Sequence, residues 1–321
     1  MASEPDYSSL LIEGKYRVEK LVGSGSMSFV YRGTDDKGKT IAVKIMKKSL
    51  LTDADTVTRF EREIRTCMSL KHANIVTVFA SGKLPTGEPF LVMEFVDGSN
   101  LAELLKSEKF LAMPRALNII CQAADALELA HSRGYIHRDI KPQNLMICKK
   151  FPNQEHVKVL DFGVAKLFGS WHNLDKFATA PGNVLGTPLY MSPEQVLGSP
   201  LDGRSDIYSL GCVLYQCLSG VPPISGKSAV EVMQNHVAFN PYNLNENGEN
   251  KFPEELNALV LKAIAKKRED RFDSMGEFAE TMRQFIMPPL VFWLWSKYDQ
   301  IYHHKKQVSP ALKSMSKRTR K

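Results

Sequence analysis

Residues 137–144 read His-Arg-Asp-Ile-Lys-Pro-Gln-Asn, a run in which three side chains can serve one reacting centre. Asp139 is a carboxylate able to accept the proton of a hydroxyl. Lys141, two residues on, can neutralise negative charge developing beside it. Asn144 offers an amide oxygen, the hard donor that Mg²⁺ prefers. A second oxygen ligand, Asp161, opens Asp161-Phe162-Gly163 behind the apolar run Val157-Lys158-Val159-Leu160. Upstream, Lys44 ends Ile41-Ala42-Val43-Lys44, and its ammonium suits a phosphate. Gly23-Ser24-Gly25-Ser26-Met27-Ser28-Phe29-Val30 supplies glycines that let backbone N–H groups approach an anion with no Cβ in the way. A proton acceptor, two hard oxygen donors, two cations and a glycine-rich turn make the inventory of a site that handles phosphate.

These residues need elements to hold them. Residues 15–46 read as three antiparallel strands, with turns at 23–28 and at Asp35-Asp36-Lys37-Gly38. The glycine run therefore joins two strands. It does not open a helix, which argues against a dinucleotide-binding fingerprint. Residues 54–70 predict a helix from Phe60, Ile64, Cys67 and Met68. Glu63 on that helix is the anionic partner expected for Lys44, with Glu61 as the fallback. Strands follow near Ile75–Ser81 and Phe90–Phe95. The pattern turns helical after Gly98, with a long helix over 114–133 framed by Pro114 and Gly134. Further helices are expected at 204–219, 228–238, 254–265 and 274–286. A β-rich front and a helical back twice its length predict an α+β, two-lobed fold.

Composition narrows the function classes. The 321 residues are 43% hydrophobic and 24% charged, an ordinary globular balance. The net charge is +7, but residues 296–321 hold eight Lys or Arg against one acid. The basic excess thus belongs to the tail, and the neutral body gives no sign of nucleic-acid binding. Five scattered cysteines and a short acidic start without an apolar segment predict a reducing, cytoplasmic setting. Cys212 and Cys217 read as buried apolar residues, not as a metal pair.

Read in order, these motifs resemble the protein kinase family from about Tyr16 to Phe285. The glycine run resembles G-x-G-x-x-G-x-V, the 137–144 run resembles H-R-D-L-x-x-x-N, and Ser192-Pro193-Glu194 stands where Ala-Pro-Glu is usual. The Asp-Ile-Lys-Pro-Gln-Asn wording, Gly186-Thr187-Pro188 and the Gln195 that follows Glu194 look most like bacterial serine/threonine kinases of eukaryotic type. The resemblance implies a bilobal kinase domain over 15–286, with an N-lobe at 15–96 of five strands and a C-lobe at 97–286. Residues 1–14 would be a loose leader and 287–321 a tail. It implies ATP and Mg²⁺ as cofactors. Catalytic roles fall to Asp139, Lys141, Asn144, Lys44, Glu63 and Thr187, with Asn144 and Asp161 on the metal. The ATP contacts implied are Leu21, Val22, Gly23, Ser24, Gly25, Ser26, Met27, Ser28, Phe29, Val30, Ala42, Lys44 and Leu145, with Met93 as gatekeeper and Glu94 to Val96 as hinge. Cys67, His137 and Phe162 would form a packed column between the lobes. Glu194 would pair with Arg271, and Asp206 would brace the 137–144 loop. Ser28 replaces the third glycine, which predicts weaker closure over phosphate without loss of activity.

The same resemblance implies regulation and partners. Arg138 would receive a phosphate on the activation segment, with Thr179, eight residues before Thr187, as the autophosphorylated position and Ser170 as the weaker candidate. Partners would be proteins carrying Ser or Thr, and self-association would allow autophosphorylation in trans. A scaffold without catalysis is the alternative; the presence of Lys44, Glu63, Asp139, Asn144 and Asp161 argues against it. In the tail, the apolar run 285–295 is about half a bilayer span and is broken by Pro288-Pro289. It either packs on the helical lobe or lies at the inner membrane face with its Trp, Tyr and basic residues at the headgroups.

Overall fold

The computed structural model describes residues 6–25, 28–51, 68–151, 154–161, 188–247 and 251–286. Six antiparallel strands form the front: β1 (Leu11–Ile12), β2 (Tyr16–Ser24), β3 (Ser28–Thr34), β4 (Thr40–Met46), β5 (Val78–Lys83) and β6 (Pro89–Glu94). Their order across the sheet is β1-β2-β3-β4-β6-β5. β4 is central, and the two-residue period of its pleat sorts its side chains into two cores. Ile41, Val43 and Ile45 join Tyr16, Val18, Phe29, Tyr31, Phe90 and Val92 on one face. Ala42 and Met46 join Val76, Leu91 and Met93 on the other, with Val30 packed against them. Lys44, between Ala42 and Met46, shares their face by the same period.

A small second sheet, β7 (Ser99–Asn100), β8 (Leu145–Phe151) and β9 (Gln154–Val159), links the front to the helices. The helices are α1 (Leu101–Glu108), α2 (Met113–Ser132), α3 (Pro193–Val196), α4 (Gly203–Ser219), α5 (Ala229–Ala238), α6 (Leu244–Asn247), α7 (Glu254–Ala263) and α8 (Met275–Arg283). α2 starts on Pro114 in its first turn, and the chain leaves it through Gly134 at φ +80°, a left-handed residue where glycine carries no steric cost. α2 and α4 bury nearly every apolar side chain in one large core that also takes in α7, α8 and the 3₁₀ turn at Tyr190. Asp202 caps α4 by accepting from Arg204 N at 2.9 Å. Gly98 is required by a close approach: a Cβ there would meet Ile147 O at 2.2 Å. Cys212 and Cys217 are fully buried in this core, and burial pushes both thiols up to about 12, so they behave as small apolar residues.

The two-lobed α+β expectation holds, with differences in detail. Part of the leader, 1–14, is bound to the sheet. β1 pairs Ile12 with Tyr16, Ile12 is 3% exposed, and the Tyr7 ring stands edge-on to Tyr31 at 5.9 Å. This sixth strand is only two residues long, too short to register as a period. The strand expected from Ile75 begins at Val78, because Ile75 bridges Val159 of β9 in parallel. Ser28 is the first residue of β3, buried and opposite Met46, and not at the turn's tip. α1 was not anticipated; its Asn100 cap is a reciprocal box with Glu103. The helix expected over 54–70 lies outside the described residues except for its last turn.

Candidate active site

The 137–144 loop gets its shape from a buried carboxylate. Asp206, on the first turn of α4, accepts from His137 N at 2.7 Å through Oδ2 and from Arg138 N at 2.8 Å through Oδ1. His131 of α2 adds a third contact, Nε2 to Oδ2 at 2.7 Å. Burial would raise the Asp206 pKa, but the His131 contact and the loop's N–H groups outweigh it and hold the carboxyl below its usual range. The clamp matters because Arg138 sits at φ +67°, a left-handed conformation that costs a residue with a Cβ about 1–3 kcal/mol. The Arg138 peptide is fixed on its other side too. Gln195 Nε2 donates to Arg138 O at 2.8 Å.

That turn presents Asp139. Its Oδ2 receives Lys141 Nζ at 2.8 Å and Asn144 Nδ2 at 3.1 Å, and Asn144 Nδ2 also donates to Asp139 O at 2.7 Å. Asp139 is 8% exposed, and two donors orient its carboxylate. With its nitrogen committed to Asp139, Asn144 keeps its amide oxygen for another ligand. His137 ties the loop to β9's exit. Its Nδ1 accepts from Asp139 N at 3.2 Å, so Nε2 carries the proton that Leu160 O receives at 2.8 Å. Burial lowers the His137 pKa and keeps this imidazole neutral.

Leu160 precedes Asp161, which stands at φ +55°. Asp161 Oδ2 meets Lys44 Nζ at 2.6 Å, joining the front sheet to the loop behind it. Burial pulls the Asp161 pKa upward, and the Lys44 ammonium outweighs it, so the carboxyl stays below its usual range. The Asp161 and Asn144 oxygens are hard donors of the kind that hold Mg²⁺ beside phosphate oxygens. Among the described residues no group of three or more His, Cys, Asp or Glu could hold a metal ion.

Beside Lys44 lies an apolar wall. Val30, Ala42, Met93 and Val96 gather in one cluster with Leu91, Phe95 and Leu160. Leu145 is buried in the neighbouring helical core, at the start of β8 opposite Val159. Glu94 ends β6, and its carboxylate is held by Lys158 of β9 at 2.8 Å. Val30 belongs to the β2–β3 hairpin, which also carries Gly23, Ser24, Gly25 and Phe29. Gly25 N bonds Ser28 O at 2.9 Å, and a bulge interrupts the register between Leu21 and Gly23. Leu21 and Val22 are 43% and 49% exposed.

Behind the loop, Glu194 and Arg271 form a buried fork, Oε1 to Nη1 at 2.7 Å and Oε2 to Nη2 at 2.9 Å, with Ser205 Oγ on Oε1 at 2.7 Å. The pair appears as the resemblance implied. Glu63, Glu61, Cys67, Ser26, Met27, Phe162, Gly163, Ser170, Thr179, Thr187 and the 287–321 tail lie outside the described residues. Sequence reasoning missed His131 and the Glu94–Lys158 pair, and it used Gln195 only as a mark of kinship. None of the three stands in a motif of its own; each becomes visible through its partner in the fold.

A family profile described as protein kinase domain matches residues 16–284. PknB, a serine/threonine-protein kinase of Mycolicibacterium smegmatis, is 38% identical over 270 residues, which cover 83% of this chain and 42% of that protein. The serine/threonine-protein kinase Pkn3 of Myxococcus xanthus is 38% identical over 275 residues, covering 85% of this chain and 50% of the relative. The chain thus spans half or less of the length of these curated relatives. The crystal structure of the Mycobacterium tuberculosis PknI kinase domain is similar at a TM-score of 0.67 and 25% identity, over 86% of this chain and 98% of that one.

Proposed function

The chain belongs to the protein kinase family, and we propose that it transfers the γ-phosphoryl group of ATP to serine and threonine hydroxyls of proteins. The observation that carries the reading is Asp139, its Oδ2 held by Lys141 at 2.8 Å and Asn144 at 3.1 Å on a loop clamped by Asp206. A hydroxyl arriving there gives its proton to Asp139 as its oxygen bonds to the γ-phosphorus and the bond to the ADP oxygen breaks. Lys141 offsets the charge on the group in flight. Lys44, oriented by Asp161, holds the α- and β-phosphates. Asn144 and Asp161 would hold Mg²⁺, which neutralises phosphate charge. Adenine would lie against Val30, Ala42 and Met93, with hinge bonds from the Glu94–Val96 backbone; Leu145, also expected there, is fully buried in the helical core. The exposed Leu21 and Val22 fit a hairpin that closes over a nucleotide. Glu63 and Thr187 complete the proposed catalytic set, over a domain of 15–286.

Regulation would follow from Thr179. Once phosphorylated by a second copy, it would dock on Arg138 and order the segment after Asp161 by charge-assisted bonds. Phosphoamino-acid analysis of a generic protein substrate tests the main reading, which expects label on Ser or Thr; label confined to Tyr, or absent, overturns it. A Thr179→Ala chain with full activity after preincubation with ATP removes the switch. The tail would either pack on the helical lobe or reach anionic lipid through its basic and aromatic residues; co-sedimentation with anionic vesicles at low salt decides between them.

A further inference from the structure

The carbonyl of Arg138 is the last backbone group before Asp139, and Gln195 Nε2 donates to it at 2.8 Å. Gln195 is the third residue of α3 and is 4% exposed. It is held at both ends of its amide. Its Oε1 accepts from Ser192 N at 3.0 Å, and its own N donates to the Ser192 hydroxyl at 3.3 Å, which closes a capping box. That box fixes the amide's orientation, because Oε1 is committed as acceptor and Nε2 must face Arg138 as donor.

We infer that Gln195 is a positioning residue for phosphoryl transfer, aligning Asp139 by holding the Arg138 carbonyl opposite the Asp206 clamp. The inference rests on the kinase reading and deepens it. Asp206 takes the Arg138 N–H and Gln195 takes the Arg138 C=O, so the left-handed residue is gripped at both of its backbone polar groups. With one grip lost, Arg138 can relax toward the commoner right-handed region. The peptide that follows would rotate, and the Asp139 carboxylate would turn with it. Lys141 and Asn144 hold that carboxylate's Oδ2, but both belong to the same loop and would move with it. Gln195 comes from α3, outside the loop, beside the Glu194–Arg271 fork. It therefore joins the loop that carries Asp139 to the segment 188–196.

Gln195→Glu separates this role from capping. The new carboxylate still accepts from Ser192 N, but it cannot donate to Arg138 O and sets oxygen against oxygen. The experiment uses the full chain, preincubated with Mg-ATP, with phosphorylation stoichiometry measured so that variants are compared at equal states. We expect kcat toward a generic protein substrate to fall about tenfold or more, with the KM for ATP and the melting temperature near wild type. Acid restores a donor by protonating the introduced carboxyl, so the ratio of wild-type to variant kcat should shrink between pH 7.5 and about pH 5. A lost cap elsewhere, Ser274→Ala on α8, controls for destabilisation and should leave kcat unchanged. Gln195→Met keeps the shape without either bond; should the Glu variant not fold, the same kcat loss is expected there. Unchanged kcat in a folded variant overturns the inference alone, as does a loss that tracks melting temperature and ignores pH. A wild type with no transfer overturns the kinase reading and this inference together.

Discussion

Lys44 and Asp161 meet at 2.6 Å, an ion pair between the middle of the front sheet and the loop that leaves the small back sheet. Both are largely buried, and each carries a conformation set by something else. β4 aims Lys44 by its pleat. Asp161 is aimed by a left-handed backbone that follows Leu160, itself bonded to His137 and Asn144. The pair therefore reports whether the two lobes stand in register.

Breaking this pair from either side should disable transfer without unfolding the chain. Lys44→Ala and Asp161→Asn are each expected to lower kcat/KM by at least ~100-fold, the scale for losing one preorganised charge contact in a site. Steady-state kinetics with ATP varied, alongside melting curves, check this. Near-wild-type turnover in either variant would remove the pair from the mechanism.

The buried fork of Glu194 and Arg271 makes a different prediction. Arg271→Ala leaves a carboxylate at the core's edge without its charge partner, though still bonded to Ser205, and should cost about 3–5 kcal/mol of stability. Urea unfolding measures it. A loss under about 1 kcal/mol would mean that the fork behaves as a surface pair.

Acid should destabilise the helical lobe earlier than carboxylates alone would. His236 of α5 is fully buried against the Tyr208 hydroxyl at 2.8 Å. Burial, reinforced by the nearby Lys266 ammonium, lowers its pKa from 6.5 to about 3. The unfolded chain thus binds the extra proton in that interval. Stability from this site is complete above pH 6.5 and falls toward pH 3, by at most about 1.4 kcal/mol per unit. Asp206, Asp161 and Glu194 have the same sign but a lower window, contributing above 3.8 to 4.5 and fading below it. Melting temperatures from pH 7 to pH 5 should drop less in His236→Asn than in wild type. Equal slopes would contradict the assignment.

The N-terminal arm is structural. Tyr7 is 9% exposed and packs on Tyr31, so Tyr7→Ala should cost about 3 kcal/mol. Trimming residues 1–12 should lower the melting temperature further, because β1 leaves with them. A trimmed chain as stable as the whole would return the arm to a loose leader.

How much of this the sequence disclosed depends on how local each signal was. Asp139, Lys141, Asn144, Asp161 and Lys44 stand in short motifs, so their residue types and spacing marked them as candidates, and the structure brings them together. β4 and α2 were legible because one face of each repeats at the period of its element. β1 was illegible because two residues carry no period and its partner lies across a turn. Lys158 reads as an ordinary alternation in a strand, yet it holds Glu94, 64 residues away. His131 reads as the end of α2, and only the arrival of α4 gives it Asp206. Contacts of that kind are made by topology, which a pattern along the chain does not encode.

The most direct measurement is transfer from γ-labelled ATP with Mg²⁺ by the wild-type chain beside Asp139→Asn, with mass-spectrometric mapping of the labelled residues. The account predicts label on Ser or Thr in the wild type, Thr179 among the positions, and at most a trace in the variant, although both bind ATP. Equal labelling of the two chains, or none in a wild type that binds ATP, would contradict it.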